Sequence, residues 1–165
     1  MVWLAGCGKP DATAPAADPA WGETVEPTQA QPKLHTIKIY LGAEVLDTEL
    51  ALTPQEERTG MMFRTNILDS DSMLFDLGMP QRASFWMKNC PESISAAYIT
   101  PDGTIAEIHH LEHDDTNAVF SATDNIQYVL ETQDGWFTHH NIPVGTVIRT
   151  EKGTLSETFD LPRRP

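Results

Sequence analysis

The stretch Ile94-Ser95-Ala96-Ala97-Tyr98-Ile99-Thr100-Pro101-Asp102-Gly103-Thr104-Ile105-Ala106-Glu107-Ile108-His109-His110-Leu111 sets two strand-like runs on either side of a Pro-Asp-Gly turn. Asp-Gly between apolar runs is a strong hairpin signal, because both residues tolerate the positive φ of a tight turn. Working outward, the same period of two recurs. Leu34 to Leu41 alternates, with Ile37, Ile39 and Leu41 on one face and Thr36, Lys38 and Tyr40 on the other. After Gly42 the pattern repeats through Leu46, Thr48, Leu50 and Leu52, as expected of a half-buried hairpin partner. Met73-Leu74-Phe75 and Ser84 to Met87 read as further short strands, and downstream Ile126 to Thr132 alternates again. Gly135 to Asn141 suits a helical turn, Pro143 to Thr150 a strand, and Lys152-Gly153 a turn into a last strand from Thr154 to Phe159.

One helix start interrupts these strands. Thr53 can cap, Pro54 suits the first helical position where its missing N–H is no loss, and Glu56 can close a capping box. Gly60 is placed to end this helix, whose polar sequence predicts a surface position. The fold class expected is mainly β (α+β): a small, twisted, partly closed antiparallel sheet or barrel with one or two short helices. A chain of 165 residues supports one ordinary core. The expected organisation is a lipobox-like start and a Pro/Ala-rich stalk over 1–33, one β-rich domain over 34–160, and a tail over 161–165.

Lys and Arg number 11 against 24 Asp and Glu, a net charge of −13. The first 33 residues hold two lysines and four acids, net −2, so the remainder carries −11. Such a charge repels phosphate backbones, whose affinity for proteins comes mainly from basic residues displacing counterions, and nucleic acid is excluded as a partner. Halophilic adaptation or simple solubility accounts for the acidity at least as well as a cationic partner. No run of 18 apolar residues is present, so membrane attachment would need an anchor rather than a spanning helix.

Leu4-Ala5-Gly6-Cys7 looks like a bacterial lipobox, with Cys7 the residue to be lipidated, although the usual basic amino end and longer apolar region are missing. From Gly8 to Pro32 the residues are largely Pro, Ala, Asp, Thr and Gln, too poor in apolar content to pack, as a stalk behind an anchor would be. The expected location is extracytoplasmic, as a membrane-anchored lipoprotein on the periplasmic side of a bacterial envelope. Cys90 is the only other cysteine, and no structural disulfide is expected.

Several blocks in order carry a resemblance: Glu57-Arg58-Thr59-Gly60-Met61-Met62-Phe63-Arg64, Met73-Leu74-Phe75, Phe85-Trp86-Met87-Lys88-Asn89, Asp102-Gly103, Tyr128-Val129-Leu130-Glu131 with Gly135, and Val144-Gly145. Their order and spacing over about Ala43 to Arg149 resemble the family catalogued as domain of unknown function 192. The resemblance implies a small β-rich domain, often behind a signal peptide or lipobox, and supplies no reaction. Two positions depart from the family pattern: Cys90 replaces the usual threonine after Lys88-Asn89, and Ser95 stands where an aspartate is common. If that aspartate carries chemistry in the family, this member has lost it.

The candidate ligand-binding residues are Arg64, Trp86, Lys88, Asn89 and Glu131. Arg64 and Lys88 are cations in an acidic protein, and Arg can grip a carboxylate or phosphate with two parallel hydrogen bonds. The structural alternative is that Arg64 pairs with an internal acid such as Glu131 or Glu49, and that Lys88 covers the rim of the core. Phe85, Trp86 and Met87 cannot share one face of a regular strand, so either one face is exposed as a contact surface or the strand is buried on both sides. His109, His110, His113, Asp114, Asp115, His139 and His140 are the nearest approach to a metal set, but adjacent histidines on a strand point apart, and no metal or cofactor is assigned. Cys90 is a candidate nucleophile only if a base lies beside it; a small buried residue is the plainer account, and no catalytic residue is assigned. The expected partners are the membrane, through a lipid on Cys7, and a small anionic ligand or an envelope protein. The rival readings are a thiol- or metal-dependent envelope enzyme and a purely structural domain.

Overall fold

A computed structural model describes residues 24–159. The Leu34 to Leu41 alternation becomes β1 (Thr36–Leu41), which turns at Gly42 into β2 (Glu44–Ala51), with Ile39 opposite Leu46. Helix α1 (Pro54–Thr59) leads to β3 (Ser72–Gln81), followed by β4 (Ser84–Phe85). The hairpin of β5 (Ile94–Ile99) and β6 (Ile105–Leu111) forms round Asp102-Gly103 as predicted, with Ile94 opposite Leu111. Gly103 has φ +87°, and a Cβ there would lie 3.0 Å from the Ile148 carbonyl oxygen, so both backbone conformation and space require glycine. Then come β7 (Val119–Phe120), β8 (Ile126–Gln133), α2 (Trp136–His139), β9 (Ile148–Thr150), β10 (Gly153–Thr154) and α3 (Leu155–Phe159).

Eight strands form one curled sheet in the order β10-β9-β1-β2-β3-β8-β5-β6, and β4 pairs with β7 beside it. The mainly β class and partial closure expected from the sequence are present, with three corrections. The sheet is mixed rather than antiparallel, because β2 and β3 run parallel across the α1 crossover. A third helix, α3, replaces the strand expected from Thr154 to Phe159. The Thr154 hydroxyl accepts from the Glu157 amide at 3.1 Å and the Glu157 carboxylate accepts from the Thr154 amide at 2.8 Å, a capping box that starts a helix. The strand expected from Ser84 to Met87 stops at Phe85.

The core lies on both faces of the sheet, since alternate residues of its central strands enter different clusters. Met73 and Phe75, Ala96 and Tyr98, and Val129 pack into one, roofed by Met61 and Met62. Leu74, Ala97 and Ile99, and Tyr128 and Leu130 pack into the other with Trp136 and Phe137. Strands buried on both faces read as continuous apolar runs, as in Met73-Leu74-Phe75 of β3, Ala96-Ala97-Tyr98-Ile99 of β5 and Tyr128-Val129-Leu130 of β8.

No helix among the described residues is long and apolar enough to cross a membrane. Cys7 and most of the expected stalk lie outside the described residues. Residues 24–33, assigned to the stalk by composition, run beside α1. The Val25 amide donates to Gln55 Oε1 at 2.7 Å, and Gln55 Nε2 donates to the Val25 carbonyl at 3.0 Å. Gln31 Nε2 donates to the carbonyls of Glu56 and Gly60 at 3.2 and 2.9 Å. Arg58 and Thr59 of α1 are accordingly buried, which corrects the picture of a wholly surface helix.

Candidate functional site

Helix α1 begins with the predicted box, in which the Thr53 hydroxyl accepts from the Glu56 amide at 3.2 Å and Glu56 Oε2 accepts from the Thr53 amide at 2.9 Å. Beyond Gly60 the chain folds back tightly, burying Met61 and Met62 in the core. Phe63 takes φ +61°, a conformation costing a bulky L-residue about 1–2 kcal/mol. Its amide donates to the Asn89 carbonyl at 2.7 Å, which ties this bend to the Phe85–Asn89 segment. Asn89 is itself left-handed, at φ +59°, and its Nδ2 faces Met62 Sδ at 3.9 Å. Asn89 is therefore a corner residue that sets the turn after Lys88. Asn89→Gly is expected to change stability by only a few tenths of a kcal/mol, and Asn89→Val to cost about 1–2 kcal/mol. Urea denaturation of both variants checks this, and equal losses would show that the side chain rather than the backbone conformation matters.

The strand's end at Phe85 resolves how three large residues are accommodated. Phe85 and Met87 are buried and Trp86 is half-buried, so neither a two-faced core strand nor a fully exposed aromatic is present. Trp86 Nε1 is buried without a hydrogen-bond partner among the described residues. Lys88 Nζ lies 5.5 Å from the Trp86 ring centroid, within cation–π range. The same ammonium donates to Glu26 Oε1 at 2.6 Å, and the other Glu26 oxygen pairs with Arg58 Nη2. The Glu26 carboxyl is held below its usual range, mainly by the Lys88 hydrogen bond, against a smaller opposing effect of burial and with further help from Arg58.

Arg64 points elsewhere. Its Nη1 and Nη2 bind Glu49 Oε1 and Oε2 at 2.6 and 2.9 Å, a two-pronged pair between the bend and β2. Burial pushes the Glu49 carboxyl up, but the Arg64 hydrogen bonds and the Leu34 amide, at 2.7 Å from Oε2, outweigh it and hold the group below its ordinary value. Behind this pair lies Glu131 on β8, fully buried, with neither carboxylate oxygen partnered among the described residues. Burial raises its carboxyl to about 8, and the nearby Arg64 charge only moderates the rise. Tyr98, in the same cluster, is raised by burial and then by the charges of Glu131 and Glu107, and donates its hydroxyl to the Val119 carbonyl at 2.7 Å.

The five residues singled out in the sequence thus fall into two groups. Trp86 and Lys88, with the Asn89 corner, form a rim, while Arg64 is paired with Glu49 and Glu131 lies buried behind that pair. Arg58, Glu26 and Gln55 complete the rim and were not singled out. Arg58 lies in the Glu57–Arg64 block, but only the tertiary fold shows that the preceding segment covers it.

Ser95, where the resemblance led us to expect an aspartate, is held in a hydrogen-bond network. Its Oγ accepts from the Gly135 amide at 2.9 Å and donates to Asp134 Oδ1 at 3.3 Å, pinning the loop before α2. Cys90 is buried and disulfide-bonded, with its partner outside the described residues, which corrects the expectation of no structural disulfide and removes a free thiolate as nucleophile.

The adjacent His109 and His110 take different partners, as strand geometry requires, while His110 and His113 both reach Glu112, at 3.3 and 3.2 Å. His109 binds Glu107 at 2.8 Å, His110 binds Asp134 at 2.8 Å, and His140 binds Asp69 at 2.9 Å. Among the described residues no group of three or more His, Cys, Asp or Glu is placed to hold a metal ion.

The family profile described as an uncharacterized ACR, domain of unknown function 192, matches residues 37–150. No curated protein matches the chain. Among solved structures, a protein from Sinorhizobium meliloti 1021, provisionally named a transcription regulator, is 26% identical with a TM-score of 0.68. The match covers 73% of this chain and 97% of that one. A protein of unknown function from Novosphingobium aromaticivorans is also 26% identical, with a TM-score of 0.66 over 84% of this chain and 94% of that one.

Proposed function

This chain belongs to the family of domain of unknown function 192, and from that premise we propose that it is a non-catalytic module of the cell envelope that binds carboxylate groups. The observation that carries the binding role is the Glu26 carboxylate clamped between Lys88 Nζ and Arg58 Nη2, with the Trp86 ring beside the ammonium. Two donors of different shape, one of them on a nearly buried side chain, make a carboxylate site in which part of the desolvation is already met by the fold. Trp86 Nε1 supplies a further unused donor close by. The acidic remainder of the surface favours this local reading over nucleic-acid binding, and the regulator name of one structural neighbour is not carried over.

Titration with N-acetylglutamate amide, which offers one side-chain carboxylate, tests the role. Glu26→Ala vacates the clamp, and this variant is expected to bind the probe. Adding Lys88→Met is expected to weaken binding about tenfold, the usual worth of one hydrogen bond to a charged group. Equal binding with and without Lys88 would remove the site. The location is tested separately by fractionating cells and probing the envelope and cytoplasmic fractions for the protein. Recovery in the envelope fraction supports this location, and recovery in the cytoplasmic fraction alone overturns it.

A further inference from the structure

Resting on that carboxylate-binding reading, we infer that the ligand of the Arg58–Lys88–Trp86 rim is an irregular, extended peptide segment carrying an acidic residue followed by proline, and that residues 24–34 are its resident, displaceable occupant. The contacts of this segment have the pattern of peptide recognition rather than of core packing. Both backbone polar groups of Val25 are read by the Gln55 side chain, at 2.7 and 3.0 Å. Glu26 supplies the anchoring carboxylate, and Pro27, next to it, is the one fully buried residue between positions 24 and 34. Gln31 Nε2 then donates to the Gly60 carbonyl just past the end of α1, and shares the Glu56 carbonyl with the Gly60 amide. Backbone reading, one charge clamp and one proline peg recur where short segments dock on folded domains.

The segment is held at points and not along its length. Val25 is 71% exposed, and an open cleft of about 410 Å³ lies between the segment and α1, lined by Val25, Pro27, Gln31, Gln55 and Thr59. With so little apolar area buried, its release costs far less than opening the sheet, whose central strands are buried on both faces. A competing segment of the same chemistry meets a backbone already placed to present Gln55, Arg58, Lys88 and Trp86, because the capping box of α1 and the left-handed corner at Asn89 fix that backbone without residues 24–34.

The test uses the full chain with Glu26→Ala, and in parallel Gln31→Ala, which removes the second clip should the first variant fold poorly. Three probes are titrated: a synthetic peptide of residues 24–34, the same peptide with glutamine for Glu26, and N-acetylglutamate amide. The expected result is that the native peptide binds at least about tenfold more tightly than the amide, and that Gln55→Ala in the protein removes most of this advantage. If peptide and amide bind equally, the rim is a carboxylate site without peptide selectivity and the inference fails alone. If the glutamine peptide binds as well as the native one, the carboxylate reading fails. If no probe binds either variant, both fail.

Discussion

Replacing Arg64 by alanine is expected to cost about 3–5 kcal/mol of folding stability, the usual penalty for stripping one partner from a buried ion pair. Glu49 is 5% exposed and would keep only the Leu34 amide as a partner. A second penalty arises at Glu131, because the Arg64 charge is what moderates the rise of that buried carboxyl. Removing Arg64 therefore raises the Glu131 carboxyl further and leaves a site where two acids face an uncharged interior. Arg64→Lys is expected to recover less than half of the loss, since one ammonium cannot reproduce two parallel hydrogen bonds to Glu49. The pair Arg64→Met with Glu49→Leu is expected to be more stable than Arg64→Ala alone, because no unpaired charge is left. Chemical denaturation of the four proteins checks this, and an Arg64→Ala variant as stable as the parent would show that the pair is dispensable. Loss of ligand binding in an Arg64 variant is thus a stability effect, unlike its loss in a Lys88 variant that keeps the fold.

Glu131→Gln is expected to flatten the dependence of stability on pH between about pH 4.5 and 8. In the native protein this carboxyl is raised from 4.5 to about 8 by burial, so folding favours its protonated form. The associated stability is fully present below about pH 4.5, where the unfolded chain is protonated as well. It is lost as pH rises towards 8, because the unfolded chain releases a proton that the folded one retains. At 1.36 kcal/mol per pK unit the loss amounts to roughly 4–5 kcal/mol in the limit. The parent is therefore expected to be markedly less stable at pH 8 than at pH 5 relative to the glutamine variant, which carries no ionisable group there. Parallel denaturation curves of parent and variant across this range measure the difference directly. A constant gap between the two would mean that Glu131 is ionised, and partnered, in the folded protein.

Much of the local structure was legible because it follows from neighbours in the chain. The Thr53-x-x-Glu56 box, the Asp102-Gly103 turn and the Ile37–Ile39–Leu41 face all depend on spacings of two to four residues. So did α3: Thr154-x-x-Glu157 has the same spacing as the first box, but the alternating appearance of the six residues masked it. The parallel β2–β3 pairing was not legible, since alternation states that a strand has a buried face and not which strand lies beside it. For the same reason the choice of Glu49 over Glu131 as the partner of Arg64 needed the register that brings β2 beneath the bend. Low apolar content from Gly8 to Pro32 pointed to a stalk that does not pack, yet residues 24–33 dock by a few polar clips, which depends on where Gln55, Arg58 and Lys88 come together in space.

By itself, the sequence determined the strand-rich class, the α1 start, the central hairpin, the acidic surface and the family, because these reside in composition, short-range period and the order of motifs. Tertiary structure alone decided that Arg64 serves the interior and Lys88 the rim, that Glu131 is buried without a partner among the described residues, and that Glu26 fills the clamp. Each of these is a meeting of residues 15 or more positions apart, and a pairwise contact of that kind is fixed by the packing of whole strands rather than by the residues that make it.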